Sequence, residues 1–154
     1  MKTFRISAVV AALGLSAAGA MAGQILDTDI YADDVHNHAG ANATAVQHVG
    51  ATFGNGQILN SEINARNATN HAFGNGAFAH QDIGVASVGG TLRRVNVYAD
   101  NAENLADGNN SFATQEIGKA TNGLIQDTNI WATNAFNYAD GANSTAVQQV
   151  GVVN

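Results

Sequence analysis

The sequence predicts an all-β fold, a β-solenoid of four stacked strand–turn–strand repeats, and three observations carry that reading. Gly23, Gly56, Gly90 and Gly123 recur at intervals of 33, 34 and 33 residues, and each opens a block of the same pattern. A period of this length marks stacked repeats that bury a face only against one another. Within a block, small or aliphatic residues recur every second position, as in Ile30/Ala32 and Ala45/Gln47/Val49, which is strand periodicity. Pro and Cys are both absent, so no residue removes a ladder donor and no disulfide substitutes for a core.

Taken in order, residues 1–22 have the three parts of an export leader. Lys2 and Arg5 are its basic start, Ile6 to Leu15 its short apolar run, and Ala20-Met21-Ala22 a small-x-small cleavage site. The apolar run is too short to span a bilayer comfortably, so export with cleavage after Ala22 is expected, and no membrane insertion. Four abutting blocks follow: 23–55, 56–89, 90–122 and 123–154. Each is expected to hold two or three short strands, with the Gly/Asn/Asp clusters between them as turns.

Aligned, the blocks form columns. Ile25, Ile58, Leu92 and Ile125 make one, and Ile30, Ile63, Val97 and Ile130 the next. Asp34, Asn67, Asn101 and Asn134 follow, and then the invariant set Asn37, Asn70, Asn104 and Asn137. A turn is aligned on Gly40-Ala41, Gly74-Asn75, Gly108-Asn109 and Gly141-Ala142, with the first repeat one residue shorter. After it come Gln47, Gln81, Gln115 and Gln148, then Gly50, Gly84, Gly118 and Gly151. Stacked strands lie about 4.7–4.9 Å apart. At that spacing a side-chain amide can donate to one copy of itself and accept from the other. The Asn37 and Gln47 columns are therefore the candidate assembly ladders, able to sit inside the stack without unpaired polar groups.

The stretch Asn137-x-Ala139-x-Gly141-x-Asn143-Ser144-x-Ala146-x-Gln148 resembles the curlin repeat of curli, the secreted functional-amyloid fibres of bacterial biofilms. The family pattern runs Ser-x5-Gln-x-Gly-x-x-Asn-x-Ala-x3-Gln, and the likeness extends loosely over all four blocks. Here the period is longer, the first family Gln is Asn or Ala, and the Ala-to-Gln gap is two rather than four. The resemblance implies an amyloid-like solenoid, a partner in an outer-membrane secretion machinery, and nucleated self-assembly at the cell surface.

Without the leader, four basic residues (Arg66, Arg93, Arg94 and Lys119) face all 12 acidic ones, a net charge of −8. That balance argues against nucleic acid and anionic membrane surfaces. Five histidines (His36, His38, His48, His71 and His80) fall in the first two blocks. Only His38 and His71 share a column, and no carboxylate spacing matches them, so they read as a solvated face and no metal site is expected. Asp27, Asp29, Asp33 and Asp34 fit no Ca²⁺ loop pattern. Tyr31, Asn64, Tyr98 and Trp131 form an outward column that could pack a neighbouring filament or bind sugars. There is no Gly-x-Ser-x-Gly elbow, no His-Glu-x-x-His and no Cys nucleophile, so neither catalytic residues nor a cofactor are expected. The functional expectation is a subunit or nucleator of an extracellular self-assembling fibre for adhesion and biofilm matrix. The alternative is a secreted solenoid adhesin that binds surface polysaccharide without forming fibres.

Overall fold

The computed structural model describes residues 2–9 and 21–153, with side chains from 23 to 153. The expected leader, 1–22, lies for the most part outside the described residues. β1 (Lys2–Val9) runs parallel to β3. The first coil is β2 (Met21–Leu26), β3 (Thr28–Ala39) and β4 (Thr44–Val49). The second is β5 (Thr52–Leu59), β6 (Glu62–Arg66), β7 (Thr69–Phe73) and β8 (Phe78–Ile83). The third is β9 (Thr91–Arg93), β10 (Asn96–Asp100), β11 (Glu103–Asp107) and β12 (Phe112–Ile117). The fourth is β13 (Leu124–Gln126), β14 (Asn129–Thr133), β15 (Phe136–Asp140) and β16 (Thr145–Val150).

Every pairing between coils is parallel, and from Gln24 onward it joins equivalent residues, as in Ile30↔Ile63, Val97↔Ile130 and Gln81↔Gln115. The strands form three walls: β14-β10-β6-β3-β7-β11-β15, then β16-β12-β8-β4, then β13-β9-β5-β2. The fold is thus the all-β parallel solenoid of four coils that the repeat predicts.

Two details differ from the sequence reading. Each complete coil has four strands, not two or three. The extra breaks come from two left-handed corners. Asp27, Asn60, Arg94 and Asp127 occupy the first, with φ of 47–54°. Asp34, Asn67, Asn101 and Asn134 occupy the second, with φ of 50–53°. Asn and Asp tolerate this conformation best among residues with a side chain, and each turns the chain without a loop. The turn after the third strand is also aligned one residue differently. Ala39 pairs with Ala72, so Gly40 falls over Phe73, and Ala41 rather than Gly40 lies over Gly74. A Cβ on Gly74 would sit 1.4 Å from the Ala41 carbonyl oxygen. Ala41 meets the shorter turn by taking φ 64° itself.

The interior has two compartments. The first is aliphatic, with Ile25, Ile58 and Leu92 facing Ile30, Ile63, Val97, Val49, Ile83 and Ile117. The second is almost pure alanine, built on Ala45, Ala79 and Ala113 against Ala72 and Ala106. Residues this small let opposing strands approach until side-chain amides span the gap.

The Gly50, Gly84, Gly118 and Gly151 column marks where the second wall, β16-β12-β8-β4, ends against the aliphatic compartment. All four have φ near 60°. A Cβ on Gly84 would lie 2.7 Å from Val97 Cγ2, and one on Gly118 would lie 2.5 Å from Ile130 Cδ1. Glycine is needed there for both backbone and space.

Candidate functional site

The two amide columns lie where the alanine compartment narrows. Asn37 is 7 % exposed, and Asn70, Asn104, Gln47, Gln81 and Gln115 are fully buried. Asn137 is half-buried and Gln148 exposed, because nothing described covers the fourth coil.

Each column is a continuous hydrogen-bonded ladder. Asn37 Nδ2 donates to Asn70 Oδ1 at 2.8 Å, Asn70 to Asn104 at 2.7 Å, and Asn104 to Asn137 at 2.8 Å. The glutamines run the other way. Gln81 Nε2 donates to Gln47 Oε1 at 2.6 Å, Gln115 to Gln81 at 2.7 Å, and Gln148 to Gln115 at 2.5 Å. Both directions follow from the backbone around them. Asn70 Nδ2 also faces the carbonyls of Ala45 and His80, at 3.0 and 3.1 Å, and Gln81 Nε2 faces that of Ala68 at 3.0 Å. A flipped amide would set oxygen against oxygen. A third ladder, which the columns alone do not single out, runs along the exposed left-handed corner. Asn67 donates to Asp34 at 2.8 Å, Asn101 to Asn67 at 3.0 Å, and Asn134 to Asn101 at 3.1 Å.

The two opposed ladders leave different groups at the fourth coil. Among the described residues Asn137 Nδ2 donates only to the carbonyls of Ala113 and Val147, at 3.1 and 2.7 Å. Gln148 Nε2 is used by Gln115 and the Ala135 carbonyl, and among the described residues nothing donates to Gln148 Oε1. Around them Trp131 is 45 %, Phe136 62 % and Val150 42 % exposed.

The remaining candidates lie on outer faces. Tyr98 and Trp131 stack with ring centroids 4.5 Å apart and planes 1° off parallel, and Tyr31 donates its hydroxyl to Glu62 at 2.9 Å. Asp27 and Asp34 accept from Asn60 and Asn67 at the corners, which is turn chemistry. His38 and His71 meet edge to face at 4.9 Å, and His71 Nε2 lies 3.3 Å from Glu103 Oε1. Burial pulls the His71 pKa down, and His38 and His36 add to that against the Glu103 carboxylate.

The expectation that no carboxylate stands in register with the histidines is overturned. Asp82 pairs directly with His48 across β4 and β8, and His80 sits two residues before it on the same face. His48 Nδ1 lies 2.9 Å from Asp82 Oδ2, and His80 Nε2 lies 2.9 Å from Asp82 Oδ1. Burial works to raise the Asp82 pKa, but the two imidazoles outweigh it and hold the carboxyl below its ordinary value. For His80, burial pushes down, and the carboxylates of Asp82 and Glu116 more than reverse it. The signal was present in the sequence: Gln47-His48 and Gln81-Asp82 occupy the same two column positions. It is missed when columns are searched only for repeated residue types.

No family model, no curated protein and no solved structure matches this chain.

Proposed function

We propose that the chain is a subunit or nucleator of an extracellular fibre and grows by adding solenoid coils end to end. What supports this reading is the uncovered face of the fourth coil. Its Ile125, Ile130 and Val150 stand in columns whose third-coil members, Leu92, Val97 and Ile117, are fully buried. Parallel in-register stacking is the arrangement already used between every pair of coils, so a coil of a second chain completes it with the same contacts. The Asn137 donor and the Gln148 acceptor set the polarity of that addition. With residues 1–22 removed on export, the first coil offers the matching face: Asn37 Oδ1 to accept and the Gln47 amide to donate. Repulsion among chains of net charge −8 holds subunits apart until stacking outweighs it. An outer-membrane secretion machinery is the partner this route requires.

The test is growth of the exported, processed chain, followed by thioflavin fluorescence and electron microscopy. Fibres are expected, and they should form faster as salt screens the charge. Ala146→Lys, which places a charge on the exposed face, should stop growth while leaving a folded monomer. A wild-type chain that stays monomeric for days at high concentration would overturn the reading. The outward Tyr98–Trp131 platform favours a second function, polysaccharide binding by an adhesin, and glycan binding without fibre growth would select it.

A further inference from the structure

We propose that His48, His80 and Asp82 form a binding site for a divalent cation of the Zn²⁺ class, which clips the first coil to the second. The ligand atoms, His48 Nδ1, His80 Nε2 and the Asp82 carboxylate oxygens, all lie within 4.8 Å of one another. One strand supplies two ligands at positions i and i+2, which share a face of the sheet. The neighbouring strand supplies the third from directly opposite, His48 against Asp82.

Both nitrogen–oxygen separations are 2.9 Å, yet His48 Nδ1 and Asp82 Oδ1 are buried without a hydrogen-bond partner. Asp82 is only 3 % exposed. Orphaned polar atoms at such a depth carry a penalty, and a cation held between His48 Nδ1 and the Asp82 carboxylate removes it for both. Tetrahedral bonds of about 2.0–2.2 Å to imidazole nitrogen and carboxylate oxygen place such ligands about 3.4 Å apart, so small side-chain shifts bring this set, all within 4.8 Å, around one ion.

The surroundings support this assignment. Phe53 meets the His48 ring edge to face at 5.1 Å, and Phe78 stacks on His80 at 6.2 Å; both rings are steered by packing. The next residue in the Asp82 register is Glu116, and its charge is taken by Lys119 Nζ at 2.7 Å. The site therefore holds one carboxylate and two imidazoles rather than an acidic cluster. Two nitrogens and one oxygen suit Zn²⁺, Co²⁺, Ni²⁺ or Cu²⁺, whereas Mg²⁺ and Ca²⁺ demand oxygen-rich shells. Three protein ligands leave a position for water.

The experiment is titration of the untagged, metal-stripped full chain with Zn²⁺ and Co²⁺. One equivalent should bind, Co²⁺ should give the visible absorption of a low-coordinate site, and Zn²⁺ but not Mg²⁺ or Ca²⁺ should raise Tm. X-ray absorption at the zinc edge of the wild-type chain should show two imidazoles, a reading that needs no variant. His48→Gln with His80→Gln should abolish binding, and Asp82→Asn should weaken it tenfold or more, each checked for folding by circular dichroism. His38→Gln with His71→Gln should leave binding unchanged. Absence of stoichiometric binding to the wild-type chain would overturn the proposal. So would binding retained by the folded His48/His80 variant, or binding lost only with His38 and His71.

Discussion

Leu92, Val97, Ala113 and Ile117 of the third coil are buried, whereas Ile125, Ile130, Ala146 and Val150, their partners in the fourth, are half-buried or exposed. The residue types hardly differ, and the strand register is the same. The difference is coverage: among the described residues the third coil has a neighbour on each side and the fourth has one. Burial in this architecture therefore belongs to position in the stack rather than to the side chain itself. A column residue should stabilise strongly inside and weakly at the end.

The glycine column offers the strongest way to break that comparison. Gly84 and Gly151 share φ near 60°, but a Cβ at Gly151 would find its nearest atom, Ile130 Cδ1, at 3.6 Å, against 2.7 Å from Val97 at Gly84. Left-handed strain alone costs about 1–2 kcal/mol, and forced overpacking adds about 1–3 kcal/mol. Gly84→Ala should thus lose about 3 kcal/mol and Gly151→Ala only about 1 kcal/mol, as measured by urea unfolding. Equal losses would contradict a stack-dependent interior.

The glutamine ladder should show the next largest contrast. Gln81→Leu strands the Gln47 oxygen and takes away the acceptor of Gln115, while the Ala68 carbonyl keeps the Glu103 N–H. Unpaired buried groups of this kind cost about 1–3 kcal/mol each, so a loss of about 3 kcal/mol is expected. Gln148→Leu strands one buried oxygen, that of Gln115, while Gln148 itself is exposed, so it should cost less, about 1 kcal/mol. Thermal melts of the two variants side by side decide it.

The left-handed corner should behave differently. Asn67 and Asn134 have φ of 50° and 51°, and their ladder is exposed. Asn67→Ala and Asn134→Ala should therefore cost about the same, about 1 kcal/mol each, from backbone strain. A large difference between them would mean that coverage matters even at the corner.

The smallest effect expected is on pH dependence. His71 has a lowered pKa, from burial first and from His38 and His36 next, opposed by Glu103. A histidine that binds its proton less tightly when folded contributes stability above its unfolded value of 6.5. That contribution falls away as the pH drops through the folded value. His71→Gln should flatten this acid-side loss in melts taken between pH 7 and 5, while the fourth coil, with Tyr138 in the same register, contributes nothing to it.

The stacked fold and the two buried ladders were legible because repetition exposes whatever must align between coils. Asn37 and Gln47 stand in unbroken columns, and only a residue paired with itself gains from that. The four-strand coil was harder to see, since its first corner is written in mixed letters: Asp27, Asn60, Arg94 and Asp127 share φ but not chemistry. Gly40 misled the alignment for a related reason. Strand pairing through Ala39 and Ala72, not glycine identity, sets that turn. The His48–Asp82 pair escaped because its two members differ, and a column of unlike residues carries chemistry that a search for repetition discards.

The central claim, that coils stack across chains as they do within one, is tested most directly by diffraction from oriented fibres of the processed chain. Four coils at about 4.7–4.9 Å each give an axial repeat of about 19 Å, so a strong meridional reflection near 4.8 Å with a subunit layer line near 19 Å is expected. Fibres whose subunit repeat is a single strand spacing, or whose strands run along the fibre axis, would contradict it.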